Sequence, residues 1–425
     1  MLYNDYLIHR KPYQESGVLL LLERKHACLF YKPGKGKTYP TVEAAREVDK
    51  AMNGNAKVLV LSTADAIKNM WLAEIDTQKI MPKNTVYMSF NTAIQDKNKT
   101  QLTKIKWDIL IVDECHKIKG HNTKTSKLVF LLSKKIPYVW GLSGTPRGNN
   151  DVDIYCQFHN MHISEWGDIP YTRFVDQCCD LDQKFFNGQM IKVPVGINHK
   201  YAAGWERNVA MYTQRIDYDK SDNMPDLNVN LVQLDYVPTK EYTQAEDGVV
   251  AIEDYESTMT KLAAITKCHQ IANGFVYLYD EEGNRIKYHL EHNKKLDWLK
   301  DNVIDEPTVI VYRFEVDKDN LVEQYDGLWT ENVEDFKNGS YKILLLQCSR
   351  CESFNLQMCK RMIFYTLDYS YIKYEQMLRR IYRMGQTENV RIDVLTFKDT
   401  IEQKIWKTVQ QKEKFADLFM SIKGD

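Results

Sequence analysis

The chain has 425 residues, enough for about two or three domains at roughly 150 residues each. Its 57 basic and 58 acidic side chains give a net charge of −1, which excludes a polybasic arm, an acidic tail or a supercharged binder. A hydrophobic fraction of 44% and a charged fraction of 27% exclude bulk disorder, while a local basic groove would still suit a nucleic acid.

The N-terminus has no apolar signal core, and the run Val18 to Leu22 is too short to span a bilayer. Nine cysteines without framework spacing suit a reducing compartment. These features predict a soluble protein of the cytoplasm, or of a host-cell interior if viral, with no membrane partner. Apolar runs then alternate with helical patterns, which predicts parallel sheets. The first runs are Ala27–Tyr31, Lys57–Leu61, Asp108–Val112 and Tyr138–Leu142, with helices near Tyr39–Met52, Ala66–Thr77 and Thr125–Ser133. The stretch 150–216 lacks strand alternation and reads as helical or as a long insertion. Asp217–Asn228, polar and Pro-containing, reads as a linker. Later runs are Thr308–Phe314, Lys342–Leu346, Met362–Leu367 and Val390–Phe397, with helices near Asn293–Asp301, Ile372–Tyr382 and Thr400–Phe419. The expected domains are 1–150, 151–222 as a helical insertion or linker region, and 223–425.

Tyr31-Lys-Pro-Gly-Lys-Gly-Lys-Thr38 follows a strand and precedes a helix, the context of a phosphate-binding loop. Pro33, Gly34, Lys35 and Gly36 would curl the backbone round phosphates and the next helix would aim its N-terminus at them. Lys37 would reach the β- and γ-phosphates, and the Thr38 hydroxyl would ligate Mg²⁺. Tyr31 stands where this pattern usually has a small residue. Trp107-Asp-Ile-Leu-Ile-Val-Asp-Glu-Cys-His116 is a buried strand ending in two carboxylates, where open α/β sheets place their sites. Asp113 would hold Mg²⁺, and Glu114 would orient or deprotonate the attacking water. Together the two elements imply nucleoside triphosphate hydrolysis.

The order of this loop, the Asp-Glu-Cys-His box and Leu142-Ser-Gly-Thr-Pro146 resembles superfamily 2 helicases. Gln376-x3-Arg380-x2-Arg383-x-Gly385-Gln386 then resembles the Swi/Snf-type remodelling ATPases, with Tyr369-Ser-Tyr371 in place of Trp-Asn-Pro. Val390-Arg-Ile-Asp-Val-Leu and Thr400-Ile-Glu402 also fit, and Arg10-Lys-Pro-Tyr-Gln14 resembles the adenine-reading Gln motif. The resemblance spans about residues 10 to 415. It implies two RecA-like parallel-sheet α/β domains in tandem with a nucleotide cleft between them, and ATP as cofactor with Mg²⁺. Gln14 would read adenine, and Gln376 would join the ATP site. Arg380 and Arg383 would be catalytic arginine fingers, and spacing of three and four along a helix puts them on one face with Gln376. Ser143 and Thr145 would couple the ATP state to the nucleic acid, in what is also a Gly-Pro turn. Ser62 and Thr63 lie where the family contacts strand phosphates, yet such a pair is equally a helix N-cap; Ser89 and Asn91 are similar candidates.

Cys351-Glu-Ser-Phe-Asn-Leu356 replaces the family's Gly-x-Gly-Leu-Asn-Leu, so both glycines are absent. Cys348 and Cys351 lack a second ligand pair for zinc, and Trp166, Tyr171 and Phe174 are either base-stacking or core residues. The implied function is an ATP-driven translocase on nucleic acid, with double-stranded DNA favoured. A strand-separating DNA or RNA helicase and an ATP-gated, non-translocating binding or assembly module are the alternatives. The compact chain resembles viral or mobile-element homologues, phage ones included. At this length no targeting module is expected beside two motor domains, so protein partners or DNA structure would supply specificity.

Overall fold

The computed structural model describes residues 3–147, 151–186, 189–218, 224–252, 255–258, 261–280, 282–290, 293–303, 306–350, 354–383 and 385–410. The chain divides into two compact units, Met1–Asp222 and Asn223–Asp425. Of the altered motif, Cys351 to Ser353 lie outside the described residues, as does 411–419 of the last expected helix.

The first unit is built on β1 (His26–Tyr31), β2 (Lys57–Ser62), β3 (Asn84–Ser89), β4 (Ile109–Asp113) and β5 (Tyr138–Leu142). An antiparallel hairpin follows, β6 (Cys179–Phe186) and β7 (Gln189–Ile197), and then β8 (Thr213–Ile216). Six of these strands form one sheet in the order β3-β2-β4-β5-β1-β8, with every pairing parallel. Successive residues of β1 and β2 serve two different cores. Cys28, Phe30, Leu59 and Leu61 pack on one face, while Ala27, Leu29, Val58 and Val60 pack on the other. Burial on both faces is why these strands read as unbroken apolar runs.

The region 151–218 is mixed rather than helical throughout. It supplies the helices Val152–Asn160, Tyr171–Cys178 and His199–Tyr212, the hairpin, and the edge strand β8 that pairs with β1. Phe174 is fully buried and Trp166 packs against the same core, so these aromatics are core residues.

The second unit holds β9 (Leu227–Leu234), the hairpins β10 (Val249–Ile252) with β11 (Tyr255–Thr258) and β12 (Phe275–Tyr279) with β13 (Arg285–His289), then β14 (Thr308–Tyr312), β15 (Trp329–Thr330), β16 (Ile343–Gln347), β17 (Arg361–Phe364) and β18 (Val390–Phe397). Its parallel sheet has the order β15-β16-β14-β17-β18-β9. β9 begins inside the expected linker and pairs along its whole length with β18. Beneath the sheet lies a buried ionic network. Lys295 Nζ donates to Glu402 Oε1 (2.6 Å), Asn273 Oδ1 (2.9 Å) and the Tyr365 carbonyl (2.8 Å), and His269 Nε2 lies 3.3 Å from the same Glu402 oxygen. Burial would raise the Glu402 carboxyl, but Lys295 and His269 hold it down to about 2. This satisfaction on several sides is what makes two buried charges tolerable.

Candidate active site

All strands of the first sheet point the same way, so the ends of β1, β2, β4 and β5 share one edge. Asp113, Leu142 and Leu29 are level across it. The phosphate-loop candidate leaves β1 at Tyr31. Gly34 and Gly36 take φ of 89° and 72°, backbone that side chains disfavour. The helix Thr38–Ala51 follows directly.

Tyr31 does not enter the loop. Its fully buried ring turns under the helix Pro12–Arg24, where its hydroxyl donates to the Tyr13 carbonyl (3.2 Å) and bonds Gln214 of β8. Gly17 of that helix makes the room: a Cβ there would press on the Tyr31 hydroxyl and on Gln214 Oε1 at 2.9 Å. Gln14 lies on the loop itself. Its Nε2 donates to the carbonyls of Gly36 (3.1 Å) and Lys35 (3.4 Å), and its Oε1 accepts from the Lys11 N–H (2.9 Å). The Pro33 carbonyl accepts from the Tyr218 hydroxyl.

Lys37 Nζ stands 3.9 Å from Glu114 Oε1. Glu114 sits at φ 53°, a left-handed turn rare for a side-chain-bearing residue, just past the end of β4. Its other oxygen lies 3.2 Å from His116 Nδ1, and the same nitrogen lies 3.2 Å from Ser143 Oγ. Ser143 Oγ also accepts from the Thr145 N–H at 3.1 Å. A chain of polar contacts thus runs from Lys37 through Glu114 and His116 to the turn after β5. Gly144 lets that turn approach the loop, since a Cβ there would meet Pro33 Cδ at 3.0 Å.

Asp113 is buried, and both of its side-chain donors fall on one oxygen. Ser62 Oγ donates to Oδ2 at 2.9 Å and Trp71 Nε1 at 3.1 Å. Burial, with Glu114 beside it, raises this carboxyl, and Lys37, Trp71 and Ser62 oppose the rise. The Thr38 hydroxyl points at Met70 Sδ (3.6 Å). The Thr38 hydroxyl and the Asp113 carboxylate are hard oxygen donors of the kind Mg²⁺ takes when phosphates complete its shell. Among the described residues no group of three or more His, Cys, Asp or Glu forms a separate metal cage.

The other nucleic-acid candidates separate. Ser62 is fully buried on Asp113 rather than facing outward. Thr63 caps the turn Ala64–Ala66, its Oγ1 accepting from the Ala66 N–H (3.3 Å). Ser89 caps the helix Phe90–Ala93, accepting from the Thr92 N–H (3.2 Å), and Asn91 is exposed. Thr145 Oγ1 is buried without a hydrogen-bond partner among the described residues.

In the second unit Gln376 and Arg380 lie on the helix Tyr371–Ile381, which Ser370 caps. Arg380 donates to the carbonyls of Gln376 (3.0 Å) and Phe354 (3.1 Å), and the Leu356 N–H returns a bond to the Arg380 carbonyl (2.9 Å). The helix ends at Ile381, so Arg383 lies past it and not on the expected common helical face. Arg313 lies 4.0 Å over the Tyr369 ring, one of the residues that replace Trp-Asn-Pro. Cys348 is buried with its thiol on the Thr366 carbonyl (3.4 Å), an ordinary core thiol. Sequence reasoning passed over Trp71 and His116 as site residues. His116 closes the Asp-Glu-Cys-His box, the one signal that pointed to it.

The sequence model of the SNF2-related domain family matches residues 77–184. "Uncharacterized ATP-dependent helicase YqhH" of Bacillus subtilis (strain 168) is 23% identical across 97% of this chain and 79% of its own length. These likenesses support a superfamily 2 ATPase of the Swi/Snf type. They imply nucleic-acid-dependent ATP hydrolysis, and each of the two units is built on a parallel α/β sheet. "Putative protein p41" of Acyrthosiphon pisum secondary endosymbiont phage 1 is 23% identical across 96% of this chain and 97% of its own length. The Sulfolobus solfataricus SWI2/SNF2 ATPase core in complex with dsDNA is similar at 20% identity and a TM-score of 0.40, covering 97% of this chain and 92% of that one. Among the described residues no helix is long and apolar enough to cross a membrane.

Proposed function

We propose that this Swi/Snf-type ATPase moves along double-stranded DNA, using ATP with Mg²⁺. The observation that carries the reading is the meeting of Lys37, in the loop after β1, and Glu114, just past β4, 3.9 Å apart beside a buried Asp113. Lys37 binds the β- and γ-phosphates. Glu114, steered by His116, takes the proton of the attacking water. Thr38 and Asp113 would hold Mg²⁺, which would supply positive charge against the phosphates. Gln14 binds the adenine, and Gln376, Arg380 and Arg383 are the nucleotide residues proposed on the second unit. Arg380 and Arg383 are the arginines proposed to answer γ-phosphate charge. His116, shared between Glu114 and Ser143, gives the hydrolytic carboxylate a contact with the coupling turn.

DNA contact through backbone phosphates makes binding sequence-independent and salt-sensitive. Thr63, Ser89 and Asn91 are the phosphate contacts proposed on the first unit. A second reading, strand separation, draws on the hairpin β6–β7, whose Met190 is 59% exposed. The deciding experiment measures ATP turnover with duplex DNA, single-stranded DNA, RNA and no nucleic acid, together with displacement of a triplex third strand and of a duplex strand. Duplex-stimulated turnover with triplex but not duplex displacement is the expected result. Equal turnover in all four conditions would refute the proposal, and duplex displacement would favour the second reading.

A further inference from the structure

The segment after β2 folds unusually. Thr63 caps a single helical turn, Ala64–Ala66, which widens at once into a π-helix over Ile67–Ile75. Its i to i+5 bonding is explicit at the end, where the Asp76 N–H reaches the Trp71 carbonyl. π-turns are rare and cluster at functional sites, because each inserts a residue and re-aims its neighbours. Here the widened turn directs two adjacent side chains to the same place. Met70 Sδ accepts from the Thr38 hydroxyl (3.6 Å) and Trp71 Nε1 donates to Asp113 Oδ2 (3.1 Å). Thr38 and Asp113 are the two oxygen donors assigned above to Mg²⁺. One short helix therefore touches both, although Thr38 opens the helix after β1 and Asp113 ends β4, strands that are not neighbours in the sheet.

The two contacts differ in strength. A thioether is a weak acceptor, so Thr38 gives up Met70 at small cost when its oxygen is needed elsewhere. The Trp71 bond is fully buried, and a carboxylate accepting from an indole N–H in such surroundings is held firmly. Trp71 and Ser62 both occupy Oδ2, which fixes the rotation of the carboxyl and turns Oδ1 to the opposite side. Groups that bond a metal-ligating side chain from behind commonly change metal affinity or activity by about 10–100-fold when removed.

We infer that Trp71, carried on the π-helix Ile67–Ile75 and working with Ser62, is a positioning residue that orients Asp113 toward the metal-binding side of the ATP site. The inference rests on the assignment of Thr38 and Asp113 as the Mg²⁺-side residues.

The test is nucleotide binding, read without turnover. A fluorescent ATP analogue is titrated onto the full chain with EDTA and then across a Mg²⁺ series, for wild type, Trp71→Phe and Trp140→Phe. Trp140 is equally buried and donates its indole N–H to the Leu21 carbonyl (3.1 Å), away from Asp113, so it reports loss of a buried indole bond as such. Trp71→Phe is expected to bind the analogue as wild type does in EDTA and to need about 10-fold or more extra Mg²⁺ to reach tight binding. Trp140→Phe is expected to keep the wild-type Mg²⁺ midpoint. An unchanged midpoint in Trp71→Phe, or an equal shift in both variants, overturns the inference. If Trp71→Phe does not fold, Ser62→Ala removes the partner donor on the same oxygen, and an unchanged midpoint there overturns it as well. A wild-type chain whose nucleotide binding ignores Mg²⁺ would instead overturn the assignment of Thr38 and Asp113.

Discussion

Glu114 illustrates how much one residue's backbone decides. Its left-handed turn is a conformation that costs on the order of 1 kcal/mol or more for a non-glycine residue, and it swings the carboxylate back toward Lys37 and His116. Removing only the charge leaves that geometry in place. Glu114→Gln is therefore expected to bind ATP normally while turnover falls by about 10²–10⁴-fold, the usual worth of a proton-transfer group. Arg383→Ala is expected to keep ATP binding and lose turnover by about 10³-fold or more. Single-turnover kinetics with a separate binding assay check both, and weakened binding with normal turnover of bound ATP would refute either role.

His269 gives a residue-scale prediction of another kind. Complete burial pushes its imidazole down to about 4, against the pull of Glu402. The unfolded chain takes up a proton near pH 6.5 that the folded chain refuses until about pH 4, so this residue makes stability fall as pH drops through that window. The loss is on the order of 3 kcal/mol at its acid end. Asp317, raised by burial to about 6, acts in the opposite sense over part of the same range. The measurement is thus a difference: thermal midpoints of His269→Gln relative to wild type from pH 7 to 4. The gap is expected to change with pH, in favour of the variant toward acid, and a constant gap would count against the assignment.

At the scale of elements, the sequence pattern was most informative where strands are buried on both faces. β1, β2, β4 and β5 carry apolar runs that show directly, and the motif residues sit just beyond their ends. β8 (Thr-Gln-Arg-Ile) carries no such run because it is an edge strand, only partly buried. β9 was lost for the same reason, being largely exposed and set inside a polar stretch. The π-helix was expected as an ordinary helix. Its buried positions, Ile67, Trp71 and Ile75, recur every four residues, and apolar spacing does not distinguish i to i+4 from i to i+5 bonding. Trp71 escaped notice because its importance lies in a bond across 42 residues of sequence. The helix Pro12–Arg24 offers a test of packing at this scale. Gly17→Ala should cost about 1–3 kcal/mol, since the added methyl meets the Tyr31 hydroxyl and Gln214. Tyr31→Phe should relieve much of that cost, and denaturant unfolding of the two single variants and the double variant measures the coupling.

At the scale of the whole molecule, near-neutral charge constrains how DNA is held. With 57 basic against 58 acidic side chains, the chain has no general attraction to a polyanion, so any affinity must come from locally grouped cations. The expected signature is a linear fall of log affinity with log salt, with a slope set by the few phosphates contacted. Duplex-DNA binding between roughly 50 and 200 mM salt checks this, and salt-independent binding would exclude phosphate contacts as the source of affinity.

The pairing of β9 with β18 has a consequence for how the chain is made. The two strands lie 163 residues apart, as the bond from Asn230 to Asp393 records. At roughly 5–20 residues per second, a ribosome needs on the order of ten to thirty seconds to supply the partner after β9 emerges. During that interval β9, with Val229 and Leu231 among its apolar side chains, is a nascent strand whose main-chain groups have no ladder to join. Stalled or truncated chains that stop before β18 should be the aggregation-prone species, and a chaperone that shields extended apolar segments should improve their recovery more than that of the full-length protein.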